Sequence, residues 1–234
     1  MKKTIIFLFA LVFISSCTPQ DAPNTFTDSR DGKVYKTVTI GEQVWLAENL
    51  AYLPSVIDPP TGSEDAGHET DPYYYVYGYA DIDVAAAKAT ENYQTYGVLY
   101  NWTAAITACP SGWHLPSDAE WKQLEMYLGV TQEEADETWW RGTDEGGKLK
   151  EVGTFHWESP NEGASNESGF TALPGGFRVS SGALHSIGSH GYWWSSTEYN
   201  ADSAWIRGLT NSLSNVDRAF DGKVHGFSVR CVRD

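Results

Sequence analysis

The segments Ala108-Cys109-Pro110-Ser111-Gly112-Trp113-His114-Leu115-Pro116 and Gly226-Phe227-Ser228-Val229-Arg230-Cys231-Val232-Arg233-Asp234 decide how this chain closes. They carry its only cysteines besides Cys17. A bond between Cys109 and Cys231 would tie the middle of the chain to its final segment. An exported chain with an even number of cysteines outside its leader is expected to pair them. On the chain-entropy account, a loop this long adds about 4–5 kcal/mol of stability. The rival reading is a catalytic thiol at Cys109. That needs a cationic or histidine neighbour to lower its pKa, and His114 stands nearby in sequence.

Export is argued from the N-terminus. Lys2 and Lys3 precede an apolar run from Thr4 to Ile14, followed by Ser15-Ser16-Cys17. The run is too short to span a bilayer, which takes about 20 residues, and has the layout of a secretory signal. Small residues before a cysteine resemble a bacterial lipobox. The expectation is therefore a lipoprotein signal peptide over 1–16, lipidation at Cys17, a tether over 17–27 and a single domain over 28–234. Two or more acyl chains give stable anchoring. The expected location is the bacterial cell envelope, as an outer-membrane lipoprotein held to the membrane by its lipid alone.

Loss of Lys2 and Lys3 with the leader takes the basic residues from 16 to 14 against 31 acidic ones, a formal charge of −17. Nucleic acid and anionic headgroups are poor partners for such a surface. Ten Trp, 13 Tyr and 9 Phe are dense for a chain of this length. They suit a loop-rich fold pinned by large rings, or a surface that stacks on sugars.

Period-two alternation over Lys33–Ile40, then Gly41-Glu42-Gln43 and Val44-Trp45-Leu46, predicts a hairpin. Tyr52 to Tyr96 reads as an inserted loop with a short helix within Asp81–Glu91. Leu99–Ile106 has helical spacing and is expected to end near Cys109. Ser117-Asp118-Ala119-Glu120 is a capping box opening a helix that stops at Gly129. Thr131-Gln132-Glu133-Glu134 repeats that logic for a helix reaching Trp140. Beyond Gly142, short strands are expected at Phe170–Leu173, Gly176–Val179, Gly191–Thr197, Ala204–Leu209 and Gly226–Val232. Hairpin, helices and a strand-and-loop half make an α+β domain.

Several of these segments resemble one family. Tyr96-Gly97-Val98-Leu99-Tyr100-Asn101-Trp102, Cys109 to Trp121, Tyr192-Trp193-Trp194-Ser195-Ser196-Thr197-Glu198 and Gly226 to Val232 resemble the Fibrobacter succinogenes major paralogous domain. More distantly, Gly112-Trp113-His114-Leu115-Pro116, Glu120-Trp121, Gly226-Phe227 and Arg230-Cys231 are similar to the formylglycine-generating sulfatase-modifying superfamily. That resemblance implies a C-type-lectin-like fold: a domain closed by a hairpin of its two ends, two to three short helices, small antiparallel sheets and a long loop region. The superfamily's oxidative chemistry uses a cysteine late in the domain. This chain has none between Cys109 and Cys231.

Other chemistries find little purchase. His185 and His190 lack the companions of a zinc site. Calcium is the more plausible cation, although no cofactor is expected. Ser159-Pro160-Asn161-Glu162 and Ala204-Trp205-Ile206-Arg207 lack the acids of the Glu-Pro-Asn and Trp-Asn-Asp elements by which some C-type lectins hold calcium against sugar hydroxyls. Glu158, Glu162 and Glu167 are available as an acid–base pair, but no serine elbow is present. The adjacent pairs Trp139-Trp140 and Trp193-Trp194 remain. Strand neighbours point to opposite faces, so one of each pair is expected outward, with Arg207 as a polar partner. The function expected is non-catalytic recognition of an extracellular glycan or an envelope protein. The alternatives are a divergent carbohydrate-active or redox enzyme, or a structural and adhesion subunit.

Overall fold

The computed structural model describes residues 24–57 and 70–234. The signal peptide expected at 1–16 and Cys17 lie outside the described residues. The tether expected over 17–27 does not reach its assigned end, because β1 (Thr25–Thr27) already pairs with β2 (Val34–Ile40), Phe26 opposite Tyr35. β2 then turns through Gly41, at φ +61°, into β3 (Gln43–Leu46), which is the predicted hairpin.

The stretch read as an inserted loop is more ordered than expected. It holds β4 (Tyr74–Tyr75), α1 (Val84–Lys88) and α2 (Glu91–Tyr96). The helix expected from Leu99 starts late. Leu99–Tyr100 is β5, paired with β4, and α3 runs Trp102–Ala108. Asn101 is the reason: its side chain accepts from the Ala104 amide at 3.0 Å and from the Tyr73 amide at 2.9 Å, so it caps one element while docking another.

β6 (Trp113–His114) leads into α4 (Asp118–Leu128), whose capping box between Ser117 and Glu120 forms as read. Thr131 and Glu134 form the second box, but α5 (Gln132–Asp136) is short. Trp139 and Trp140 belong instead to β7 (Trp139–Arg141), paired with a strand far ahead in sequence. Next come α6 (Glu145–Leu149), β8 (Gly175–Arg178), β9 (Leu184–Ile187), β10 (His190–Glu198), β11 (Ser203–Thr210), β12 (Val216–Gly222) and β13 (Val232–Arg233). Six helices stand among the described residues, against the two or three that the resemblance implies. Phe170–Leu173 makes only an isolated bridge, Ala172 to Lys150.

Two sheets organise the α+β domain. The first has the order β1-β2-β3-β13-β6, so Val232 pairs with Trp45 on one side and His114 on the other. The disulfide Cys109–Cys231 lies beside this junction, with Cα atoms 5.9 Å apart. Cys109 is therefore no free nucleophile, and His114 is engaged by Asp234 and Glu120, each at 2.7 Å. The second sheet has the order β7-β12-β11-β10-β8-β9.

Both faces of the β10–β11 pair are covered, α3 packing on β10 from one side and α4 from the other. Trp194 joins Ala104, Ala105 and Ile206 in one core; Trp193 joins Trp121, Phe170 and Leu209 in the other. Their rings do point to opposite faces, but neither face is outward. Trp193 is 1% and Trp194 0% exposed. Trp193 Nε1 donates to Asn49 Oδ1 at 2.9 Å and Trp194 Nε1 to the Tyr100 carbonyl at 2.7 Å. The expectation that this pair meets a ligand is corrected.

Arg207 is corrected likewise. It lies on β11 beneath α4, its Nε donating to Glu125 Oε1 at 2.5 Å and its Nη2 lying 2.9 Å from Asp118 Oδ1. Arg141 also donates to Glu125, and Arg218 grips Asp118 through Nε and Nη2 at 2.9 and 2.8 Å. Burial works to raise the Asp118 pKa, but Arg218 and Arg207 overcome it and hold the carboxyl far below its usual range. Two carboxylates and three guanidiniums thus fasten α4 to the sheet. Breaking such a buried pair from one side is costly because it strands the other charge. Glu125→Ala is expected to lower stability by about 3–5 kcal/mol, measured by urea unfolding. A loss near zero would show that Arg141 and Arg207 do not depend on it.

Candidate functional site

At the edge of the second sheet, β7 pairs with β12 only through residues 216–218, leaving the end of β12 unflanked. Along β12, period-two alternation puts Asp217, Ala219 and Asp221 on one face. Across the strands, Tyr192, Gly208, Asp217 and Trp140 are register partners in a row. Gly208 is required there: a Cβ would meet Tyr192 Cε1 at 2.7 Å and Asp217 Cβ at 3.2 Å. The Tyr192 ring occupies that space, and Tyr192 and Asp217 together line a cleft of about 280 Å³. Phe177, Tyr192, Ile206 and Phe227 supply its apolar lining. Asp217 and Asp221 supply the carboxylates, and Trp139 and Phe220 complete it.

The Trp139 backbone has φ +67°, a left-handed conformation that is strained for so bulky a residue and that tends to persist where function needs it. Its side chain is 60% exposed, with the ring centroid 6.4 Å from that of Phe220. Phe220 stacks on the half-exposed Tyr199 at 3.7 Å and 6°, and Trp205 meets both edge-on. Arg218 caps Trp205, its Cζ 3.7 Å from the ring. These rings stand on the Arg218 face of β12, opposite Asp217, and of them Trp139 and Phe220 border the cleft.

Asp217 is the anomalous group. It is 6% exposed, and its Oδ1 has no hydrogen-bond partner among the described residues. Buried carboxylates are ordinarily hydrogen-bonded or paired. Burial raises its carboxyl to about 6, against the pull of Arg141 and Arg207. The Tyr192 phenol is pushed up to about 12 by burial and by Asp217 and Asp221. His190 stacks on Tyr192 at 5.8 Å, and His225 Nδ1 lies 2.7 Å from Asp221 Oδ1. A perturbed carboxyl in an aromatic-lined cleft has the marks of a ligand site.

Two other hollows lack this feature. One of about 210 Å³ is bordered by Lys33, Lys36, Glu48 and Glu151; another of about 360 Å³ lies over Thr37, Thr39, Val44 and Trp113. Neither is lined by an orphaned buried polar atom.

Of the residues named from sequence, Trp139 lines the cleft and the half-buried Trp140 flanks it by register. Trp193, Trp194 and Arg207 belong to the core. Glu158, Glu162 and Glu167 are exposed. His185 packs against Phe177. Among the described residues no group of three or more His, Cys, Asp or Glu is placed to hold a metal. Sequence reading missed Asp217, Asp221, Phe220 and Tyr192. The available signal was the alternation in Val216-Asp217-Arg218-Ala219-Phe220-Asp221-Gly222, a strand with acids on one face and Arg and Phe on the other.

A model of the Fibrobacter succinogenes major domain family matches residues 38–233. No curated protein and no solved structure matches the chain.

The state of Asp217 is measurable through stability. Its folded pKa of about 6 lies above the 3.8 of an unperturbed Asp, so the folded state holds the proton more tightly. Its contribution favours folding in acid and is lost as pH rises through 6. At pH 7 the carboxylate then costs about 3 kcal/mol, from about 2 pH units at about 1.4 kcal/mol each. Asp217→Asn is expected to be the more stable protein at pH 7 by up to that amount, with the gap closing towards pH 4. Urea unfolding at both pH values decides; a variant destabilised at pH 7 would mean that Asp217 is a satisfied structural group.

Proposed function

The chain belongs to the Fibrobacter succinogenes major domain family, and on that premise we propose that it is a non-catalytic recognition module whose cleft binds an extracellular glycan. The observation that carries this reading is the orphaned Asp217 Oδ1 in the aromatic-lined cleft that the exposed Trp139 borders. Sugars offer an apolar ring face and a rim of hydroxyls. An exposed indole suits the first, and a carboxylate oxygen lacking a donor suits the second.

Non-catalysis is argued from spacing. Asp217 and Asp221 are four positions apart on one face of one strand, so their side chains project in the same direction from Cα atoms about 13 Å apart at about 3.3 Å per residue, and their carboxyls are spaced alike. Glycosidase carboxyl pairs stand about 5–9.5 Å apart. Redox chemistry loses its thiols to the Cys109–Cys231 bond.

A C-type-lectin-like fold is supported by the pairing of the two ends through β13 and by the loop-rich stretch between Leu149 and Gly175. The likeness of Gly112-Trp113-His114-Leu115-Pro116 to the sulfatase-modifying superfamily points the same way. A lipid anchor at Cys17 and an outer-membrane location are supported by Lys2-Lys3, the apolar run and Ser15-Ser16-Cys17. No described helix is long and apolar enough to cross a membrane.

The test is a glycan array probed with the chain produced under oxidising conditions, with calcium and with EDTA. Binding is expected to fall at least tenfold on Trp139→Ala and to be unchanged on Lys36→Ala, which lies in another hollow. Binding that ignores Trp139, or no binding in either buffer, would defeat the proposal; the EDTA arm reads calcium dependence directly.

A further inference from the structure

The charges of the cleft narrow its ligand, given the reading of it as the binding site. Its lining includes two carboxylates, Asp217 and Asp221, and neither Lys nor Arg. The guanidiniums closest to Asp217 in effect, Arg141 and Arg207, are committed to Glu125 and Asp118 under α4. Asp221 has His225 beside it. Asp217 has no such neighbour: its Oδ1 is buried without a donor.

A sugar hydroxyl would satisfy that oxygen's hydrogen bond but leave a desolvated negative charge uncompensated. An ammonium group supplies both donor and charge. The surrounding rings favour the same partner, since the faces of Tyr and Phe attract cations held within about 6 Å. Here the rings are Tyr192, which lies across Gly208 from Asp217, and Phe177, which meets Tyr192 edge-on. The field of the whole chain acts in the same sense. At a formal charge of −15 it attracts cations and repels uronates and sulfated sugars.

We infer that the ligand of this cleft carries an ammonium group, as a glycan containing a free amino sugar does, and that Asp217 receives it beside the Tyr192 ring on the same face of the sheet. The contact is non-covalent and leaves the amine intact.

The experiment compares a glucosamine oligosaccharide with its N-acetylated counterpart by calorimetry on the full chain. It is run at pH 7 and about 0.15 M salt, so that attraction beyond about 8 Å is screened. The free amine is expected to bind at least tenfold more tightly. Asp217→Asn, expected to fold stably, should reduce that preference to threefold or less. N-acetylated sugar bound as well as the amine, and lost on Trp139→Ala, would overturn the inference and leave the cleft reading standing. A preference for the amine that survives Asp217→Asn would overturn it too, as attraction to the acidic surface at large. If neither sugar binds and the array is blank, both readings fall.

Discussion

Val232 lies in register between Trp45 and His114, and most of the architecture follows from that placement. A strand of only two residues joins a hairpin from the start of the domain to a segment from its middle. Around it, Arg230 is wholly buried and spends its donors on Asn49, Leu46, Phe170 and Thr171. The adjacent disulfide fixes the same junction covalently. Burial pulls the Arg230 guanidinium down to about 9, and three backbone carbonyls and one amide oxygen offset the loss of water. With this junction formed, the loop after α6 is pinned and β10 is held between two cores.

The charge cluster under α4 plays the corresponding part for the second sheet. Because Glu125 and Asp118 consume the guanidiniums of Arg141, Arg207 and Arg218, the α4 face of β11 and β12 is electrostatically closed. The opposite face of β12 has no equivalent. Asp217 is turned away from the ion pairs on its own strand and left without a donor, which lowers stability near neutral pH. Proteins tolerate such local losses where a binding site requires them. The strained Trp139 backbone, at the next strand over, fits that pattern.

Local rules were legible in the sequence wherever the determining groups are near neighbours. Both capping boxes, the β2–β3 hairpin and the α+β order could be read directly, since each depends on residues a few positions apart. Cys109 and Cys231 were legible through chemistry rather than position. What could not be read was which faces other elements cover. Trp193 and Trp194 alternate as a strand should, but only α3 and α4 together decide that both rings are buried. Trp139 and Trp140 continued a helical pattern that pairing with β12 overrode. The cleft depends on Gly208, Asp217 and Tyr192 meeting laterally across three strands, a register no local pattern specifies. The family-like segments Trp193-Trp194 and Phe227 to Cys231 proved to be core rather than contact surface. Resemblance here marks folding instructions, and the cleft is built beside them.

The late position of β13 also governs the order in which the domain is made. While the chain is being synthesised, β3 presents one edge and the segment around Trp113 another, and neither finds its partner until almost the entire domain has emerged. The early hairpin therefore waits with unsatisfied amides and carbonyls, the condition that invites pairing with other chains. Closure across so long a stretch is slow for the same reason. Loss of only the last few residues of the domain would remove Arg230, Cys231 and Val232 together, so a nearly full-length fragment has no partial version of this fold to fall back on.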